Sequence, residues 1–95
     1  MAKKKLLVSR VVHCRRDSYD VYIGRPSKWG NPFVIGKDGD RREVINKYRE
    51  WVVQQKDLMS SLHELQGKIL GCWCRPESCH GDVLLELVNK KQENG

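Results

Sequence analysis

The sequence predicts a mixed α/β fold: one compact domain with a small sheet packed by about three helices, in the order β-β-α-α-β-α. Three observations predict it. Two apolar runs, at residues 6–13 and 68–74, have strand character. Apolar side chains recur at helical spacing over residues 40–55, 58–65 and from Val83 onward. The chain has 95 residues, 39% hydrophobic and 32% charged, which suits one modest core under a well-solvated surface. No repeat or linker divides it, so residues 1–95 read as a single domain with 1–5 and 90–95 as frayed ends.

Leu6-Leu-Val-Ser-Arg-Val-Val-His13 is the first strand, rich in β-branched residues, and Arg15-Arg-Asp-Ser18 the turn after it. Residues 19–23 then alternate, with Tyr19, Val21 and Ile23 on one face and Asp20 and Tyr22 on the other. These two segments are expected to pair as a hairpin in a small mixed sheet. Asp40 starts a helix, with Glu43 three residues on in a capping-box arrangement. Ile45, Tyr48 and Val52, flanked by Val44 and Trp51, form its core stripe. Arg41, Arg42, Lys47 and Arg49 form its solvated side, and Arg41 and Arg42 stand where an anionic ligand could use them. Leu58, Leu62 and Leu65 give a short second helix, with Gly67 placed for a left-handed cap. Lys68-Ile-Leu-Gly-Cys-Trp-Cys74 is the last strand, and Val83, Leu84, Leu87 and Val88 make the last helix amphipathic.

Eighteen Lys and Arg against twelve Asp and Glu leave a net charge of +6, a balance that suits a polyanion partner such as a nucleotide or nucleic acid. Part of the excess sits in Lys3-Lys-Lys5, a solvated run that needs no partner. No apolar run is long enough to span a membrane, and no signal-peptide core follows Met1-Ala-Lys-Lys-Lys5. The expected setting is therefore the cytoplasm, with no membrane partner. There, four cysteines are thiols or metal ligands rather than disulfides.

Most of the chemistry lies in Leu70-Gly-Cys-Trp-Cys-Arg-Pro-Glu-Ser-Cys-His-Gly-Asp82. Cys72 and Cys74 are two apart, so on a strand they share a face, and the break at Pro76 returns Cys79 and His80 towards it. Asp82 is placed to cap the following helix. One reading is a metal site, with Cys72, Cys74, Cys79 and either His80 or Cys14 as ligands. Zinc is the expected ion, and thiolate clusters also suit iron–sulfur centres. A second reading is a reactive thiol, with Cys79 activated at a helix start, His80 beside it as base and Arg75 nearby. The plain alternative is that these cysteines are small buried core residues.

Gly24-Arg-Pro-Ser-Lys-Trp-Gly-Asn-Pro-Phe33 is the second informative stretch. Glycine and proline impose a defined path on it. Arg25, Ser27 and Lys28 offer donors to a phosphate, Trp29 a face for a base, and Asn31 an amide for a base edge. Taken alone, Trp29 is better explained as a core anchor. Neither a phosphate-binding glycine loop nor a dinucleotide fingerprint is present.

Together the stretch from Tyr19 to Phe33 and the one from Leu70 to Leu84 resemble a family of small bacterial and phage proteins, a domain of unknown function marked by a Cys-Trp-Cys motif. The resemblance runs from Val11 to Leu87. It implies a single-domain α/β unit and, by association, a neighbourhood in nucleotide or nucleic-acid metabolism. The two polar loops are expected to meet at one sheet edge and form one site. The leading expectation is a metal- or thiol-dependent protein acting on a nucleotide, modified base or nucleic acid. The alternative is a non-enzymatic, zinc-stabilised adaptor for nucleic acid or protein.

Overall fold

The computed structural model describes residues 9–74 and 77–94, including all their side chains except those of 92–94. The expected strand start at Leu6, the break at Pro76 with its neighbour Arg75, and residues 1–5 and 95 lie outside the described residues. Three strands, β1 (Arg10–His13), β2 (Val21–Tyr22) and β3 (Ile69–Cys72), pack with three helices, α1 (Arg41–Val52), α2 (Lys56–Ser60) and α3 (His80–Asn94). The α/β class and the element order are those the sequence predicts.

The strand pairing is different. The sheet order is β1-β3-β2, and both outer strands run parallel to β3. The expected hairpin does not form, and the described strands make a parallel rather than a mixed sheet. The cause lies in residues 14–20, which carry the chain back across β3 instead of turning at an edge. The Tyr19 ring covers Gly71, where a Cβ would come within 2.6 Å of it. The Asp20 N–H donates to the Ile69 carbonyl at 2.7 Å, and the Ile69 N–H donates back to Asp20 Oδ2 at 2.8 Å. These contacts start β2 at the foot of β3. A parallel return then needs a long crossover, which α1 and the segments after it supply. The ladder continues past the strands: Cys14 N–H donates to the Cys72 carbonyl and Ile23 N–H to that of Gly71.

Asp40 and Glu43 form the expected capping box, each side chain accepting from the other's backbone N–H at 2.9 and 3.0 Å. Val44, Tyr48 and Val52 are buried, and Ile45 and Trp51 pack half-buried beside them. The expected second helix is divided at Ser61 into α2 and a 3-10 turn over Leu62–Leu65, yet Leu58, Leu62 and Leu65 are all buried. Gly67 follows with φ +72°, the left-handed conformation that glycine adopts at no steric cost. α3 begins at His80, three residues ahead of Val83, because Asp82 acts from inside the first turn. Its carboxylate accepts from Cys79 N–H at 3.2 Å, while Cys79 Sγ accepts from Gly81 N–H at 3.3 Å. Helical backbone runs on through Asn94. No helix among the described residues is long and apolar enough to cross a membrane.

Candidate functional site: a thiol cleft at the strand ends

In open α/β sheets the carboxyl ends of strands and the starts of helices converge, and ligands bind there. Here the ends of β2 and β3 meet the starts of α1 and α3 around a cleft of about 240 Å³. Cys72, Cys74 and Cys79 line it together with Arg25, Asn31 and Arg41, and Tyr22 and Trp73 border it. Both polar loops therefore contribute to one cleft. Its volume lies below the range of roughly 300–1,000 Å³ usual for drug-sized ligands, so it suits one small ring system.

Strand alternation puts Leu70 and Cys72 on the helix-facing side of β3, where both are buried. The start of α3 brings Cys79 against that side, with its sulfur 3.3 Å from that of Cys72. Cys74 is half-buried and accepts hydrogen bonds from Cys72, Cys79 and Arg41. Those bonds, the two thiols first, hold its own thiol well below the ordinary range. The same bonds to Cys72 and Cys74, with burial, push the Cys79 thiol far up. Of these two thiols, Cys74 is therefore the one favoured as thiolate and Cys79 the one favoured as thiol. Arg41 is fixed in turn by donating Nη1 to the Ser78 carbonyl at 3.0 Å. All four cysteines are free thiols.

His80 is buried, and its Nε2 donates to the Ile23 carbonyl at 2.7 Å. Its ring meets Tyr48 edge-on with centroids 5.0 Å apart. This nitrogen is therefore committed to the end of β2. Among the described residues no group of three or more His, Cys, Asp or Glu side chains is arranged to hold a metal ion. Burial lowers the His80 pKa, with the Ile23 bond opposing. Its folded pKa thus lies below the unfolded value near 6.5, and the stability this contributes is complete above about pH 6.5 and lost as pH falls below it. The His80 contribution, read as the difference in melting temperature between the native chain and His80→Gln, should be flat from pH 8 to about 6.5 and then decline, its slope staying under about 1.4 kcal/mol per pH unit. His80→Gln, which keeps a donor for Ile23, should flatten the profile between pH 6.5 and 5.5.

The 24–33 loop uses most of its polar groups internally. Ser27 Oγ donates to the Gly24 carbonyl at 2.6 Å, and Lys28 pairs with Glu64 at 2.9 Å. Trp29 is 2% exposed, and its carbonyl accepts from the Tyr48 hydroxyl at 2.8 Å. Asn31 Nδ2 donates to the Val44 carbonyl while its Oδ1 accepts from Phe33 N–H. Of the five residues singled out in this loop, Arg25 and Asn31 reach the cleft. Arg41, which the sequence offers to an anionic ligand, also reaches the cleft, whereas Trp73 has no role in the sequence reading. The signal for Trp73 was present, since Leu70, Cys72 and Cys74 share one strand face and Trp73 must take the other.

A parallel sheet with a cysteine cleft at its carboxyl edge, ringed by arginine and tryptophan, defines a small thiol-bearing α/β domain. The chain belongs to the family described as a domain of unknown function, DUF4326, which matches residues 8–90. It is 35% identical over 86 residues to an uncharacterized 12.4 kDa protein of the nrdA-td intergenic region of Enterobacteria phage T4, covering 85% of this chain and 78% of the relative. It is 40% identical over 86 residues to an uncharacterized protein of Acanthamoeba polyphaga mimivirus, covering 72% of this chain and 65% of that protein. No solved structure matches the chain.

Proposed function

We propose that the chain binds a nucleotide in the cleft and presents Cys74 to it as a nucleophilic thiolate. The observation that carries this reading is the placement of Cys74. It is the least buried of the three clustered thiols, it accepts from Arg41, and it shares a ring-sized cleft with Arg25. Guanidinium groups suit phosphate, and a cleft of this size suits a base. Cys79, the nucleophile expected from the sequence, is 2% exposed and holds its proton. His80 is committed to Ile23. A thiol that is already ionised needs no adjacent base.

The test is alkylation by iodoacetamide, followed residue by residue. An ordinary thiol, with a pKa near 8.5, slows about tenfold per pH unit below that value. Cys74 should instead react at a nearly constant rate from pH 5 to 8, and Arg41→Ala should restore part of the pH dependence. Millimolar mononucleotide should protect Cys74. Absence of protection by every mononucleotide tried overturns the reading.

A second reading, zinc held by Cys72, Cys74 and Cys79, rests on the cysteine spacing in the sequence, since no described group of three such side chains is arranged for an ion. A closed tetrahedral site needs a fourth ligand, and His80 Nε2 bonds to the Ile23 carbonyl. Elemental analysis of protein purified without chelator separates the two. About one zinc per chain with protected thiols supports the zinc-stabilised adaptor, whose fold Cys79→Ala would then disrupt.

A further inference from the structure

The surface around the cleft extends in two directions, and each extension has its own chemistry. On one side stands Trp73, 52% exposed. Its indole is held by its edge, with Nε1 donating to the Tyr22 hydroxyl at 2.6 Å, and that hydroxyl donates to the Arg25 carbonyl at 2.9 Å. The Arg15 guanidinium lies 5.2 Å from the indole centroid. Half-exposed tryptophan is costly in contact with water, and this one is braced so that it does not fold down onto the protein. On the other side the cleft opens, through Arg41 and Ser78, into a groove of about 450 Å³ between α1 and α3. Arg42, Asn46 and Arg49 continue that groove. Arg49 is paired with Glu86, while Arg42 is exposed.

We infer that this path, from Trp73 across the cleft to Arg42, binds single-stranded nucleic acid, and that the nucleotide of the proposed pocket is one unit of such a strand. The inference rests on that pocket reading and deepens it. A single strand alternates flat bases with phosphates, and the path alternates a braced aromatic, a ring-sized cleft and arginines. A duplex keeps its base faces stacked and offers none to Trp73. An acidic peptide would use the arginines and leave the indole without a partner. The net charge of +6 supplies the long-range attraction that a polyanion requires.

The experiment is fluorescence anisotropy of the full chain with labelled ten-nucleotide single strands of DNA and RNA. The same sequence as duplex, a polyglutamate of similar charge and a mononucleotide serve as competitors. A single strand should bind at least about tenfold more tightly than the duplex in 0.15 M salt. Trp73→Ala should weaken it about tenfold while leaving the melting temperature unchanged, with Trp73→Phe recovering part of the loss. Arg42→Ala should lower the salt slope by about one. Equal affinity for strand, duplex and polyglutamate would mean bulk charge alone and would overturn the inference, as would an unaltered Trp73→Ala. If the mononucleotide binds and the strand binds no more tightly, the inference falls and the pocket reading stands. If neither binds, both fall.

Discussion

Tyr48→Ala should lower stability by about 3–5 kcal/mol, the cost of emptying a large aromatic site. Tyr48 has no exposed surface, and three parts of the molecule meet on it. Its ring contacts Trp51 within α1 and the edge of His80 at the start of α3. Its hydroxyl donates to the Trp29 carbonyl and so holds the 24–33 loop. Burial holds this phenol far above its ordinary pKa, so it stays a neutral donor throughout the working pH range. A domain of this size is stable by about 5–15 kcal/mol, so the loss leaves little in reserve. Tyr48→Phe isolates the hydrogen bond. It keeps the packing, strands the Trp29 carbonyl and should cost about 1–3 kcal/mol. Chemical denaturation of both variants measures the two steps. Equal losses would mean that the hydroxyl, not the ring, carries the site.

The second large effect is expected at Gly81. A Cβ there would lie 2.9 Å from Ile23 Cδ1 and from Val11 Cγ2, and 3.1 Å from Cys79 Sγ. Alanine in place of glycine ordinarily adds up to about 1 kcal/mol of helix propensity. Overpacking of a closed site costs about 1–3 kcal/mol. Overpacking should win, because the contacts come from β1, from the end of β2 and from the sulfur cluster at once. Gly81→Ala should lower the melting temperature by about 4–8 °C per kcal/mol lost, and Gly81→Val by more. Either change lifts the start of α3 from the sheet and with it Cys79, so the fast alkylation of Cys74 should slow as well. A melting temperature equal to that of the native chain would refute the tight approach.

These sites also mark where sequence reasoning reached and where it stopped. The capping box of Asp40 and Glu43 is a local device, complete within four residues, and it was legible. So was the order of elements, because a change of apolar period needs only a dozen residues to declare itself. The pairing of strands was not. Residues 6–13 and 19–23 look locally like a hairpin, and what separates them is β3, whose Gly71 admits the Tyr19 ring from more than fifty residues away. In the site, the gathering of Cys72, Cys74 and Cys79 followed from spacing. That Cys74 is the thiol lowered follows from how Cys72 and Cys79 approach it, with Arg41 adding from another element, and none of these approaches is local in sequence. Trp29 and Trp73 both stand among small and turn-forming residues. The Tyr48 hydroxyl that ties down the loop of the first, and the strand face that exposes the second, are matters of tertiary contact.

The central position of β3 has a consequence for how the protein is made. β1 and β2 leave the ribosome before β3, and neither has its sheet partner until residues 69–72 are synthesised. Until then the nascent chain carries two short apolar segments with unpaired backbone and no sheet to receive them. Helix α1 can form during this interval, since its hydrogen bonds are local. The sheet cannot. Arrival of β3 zips both neighbours in one event and positions two of the clustered thiols, while α3 follows with the third. The cleft is therefore assembled only once β3 and the start of α3 have been made, and a ribosome stalled before Ile69 would expose a chain without a sheet to chaperones and proteases.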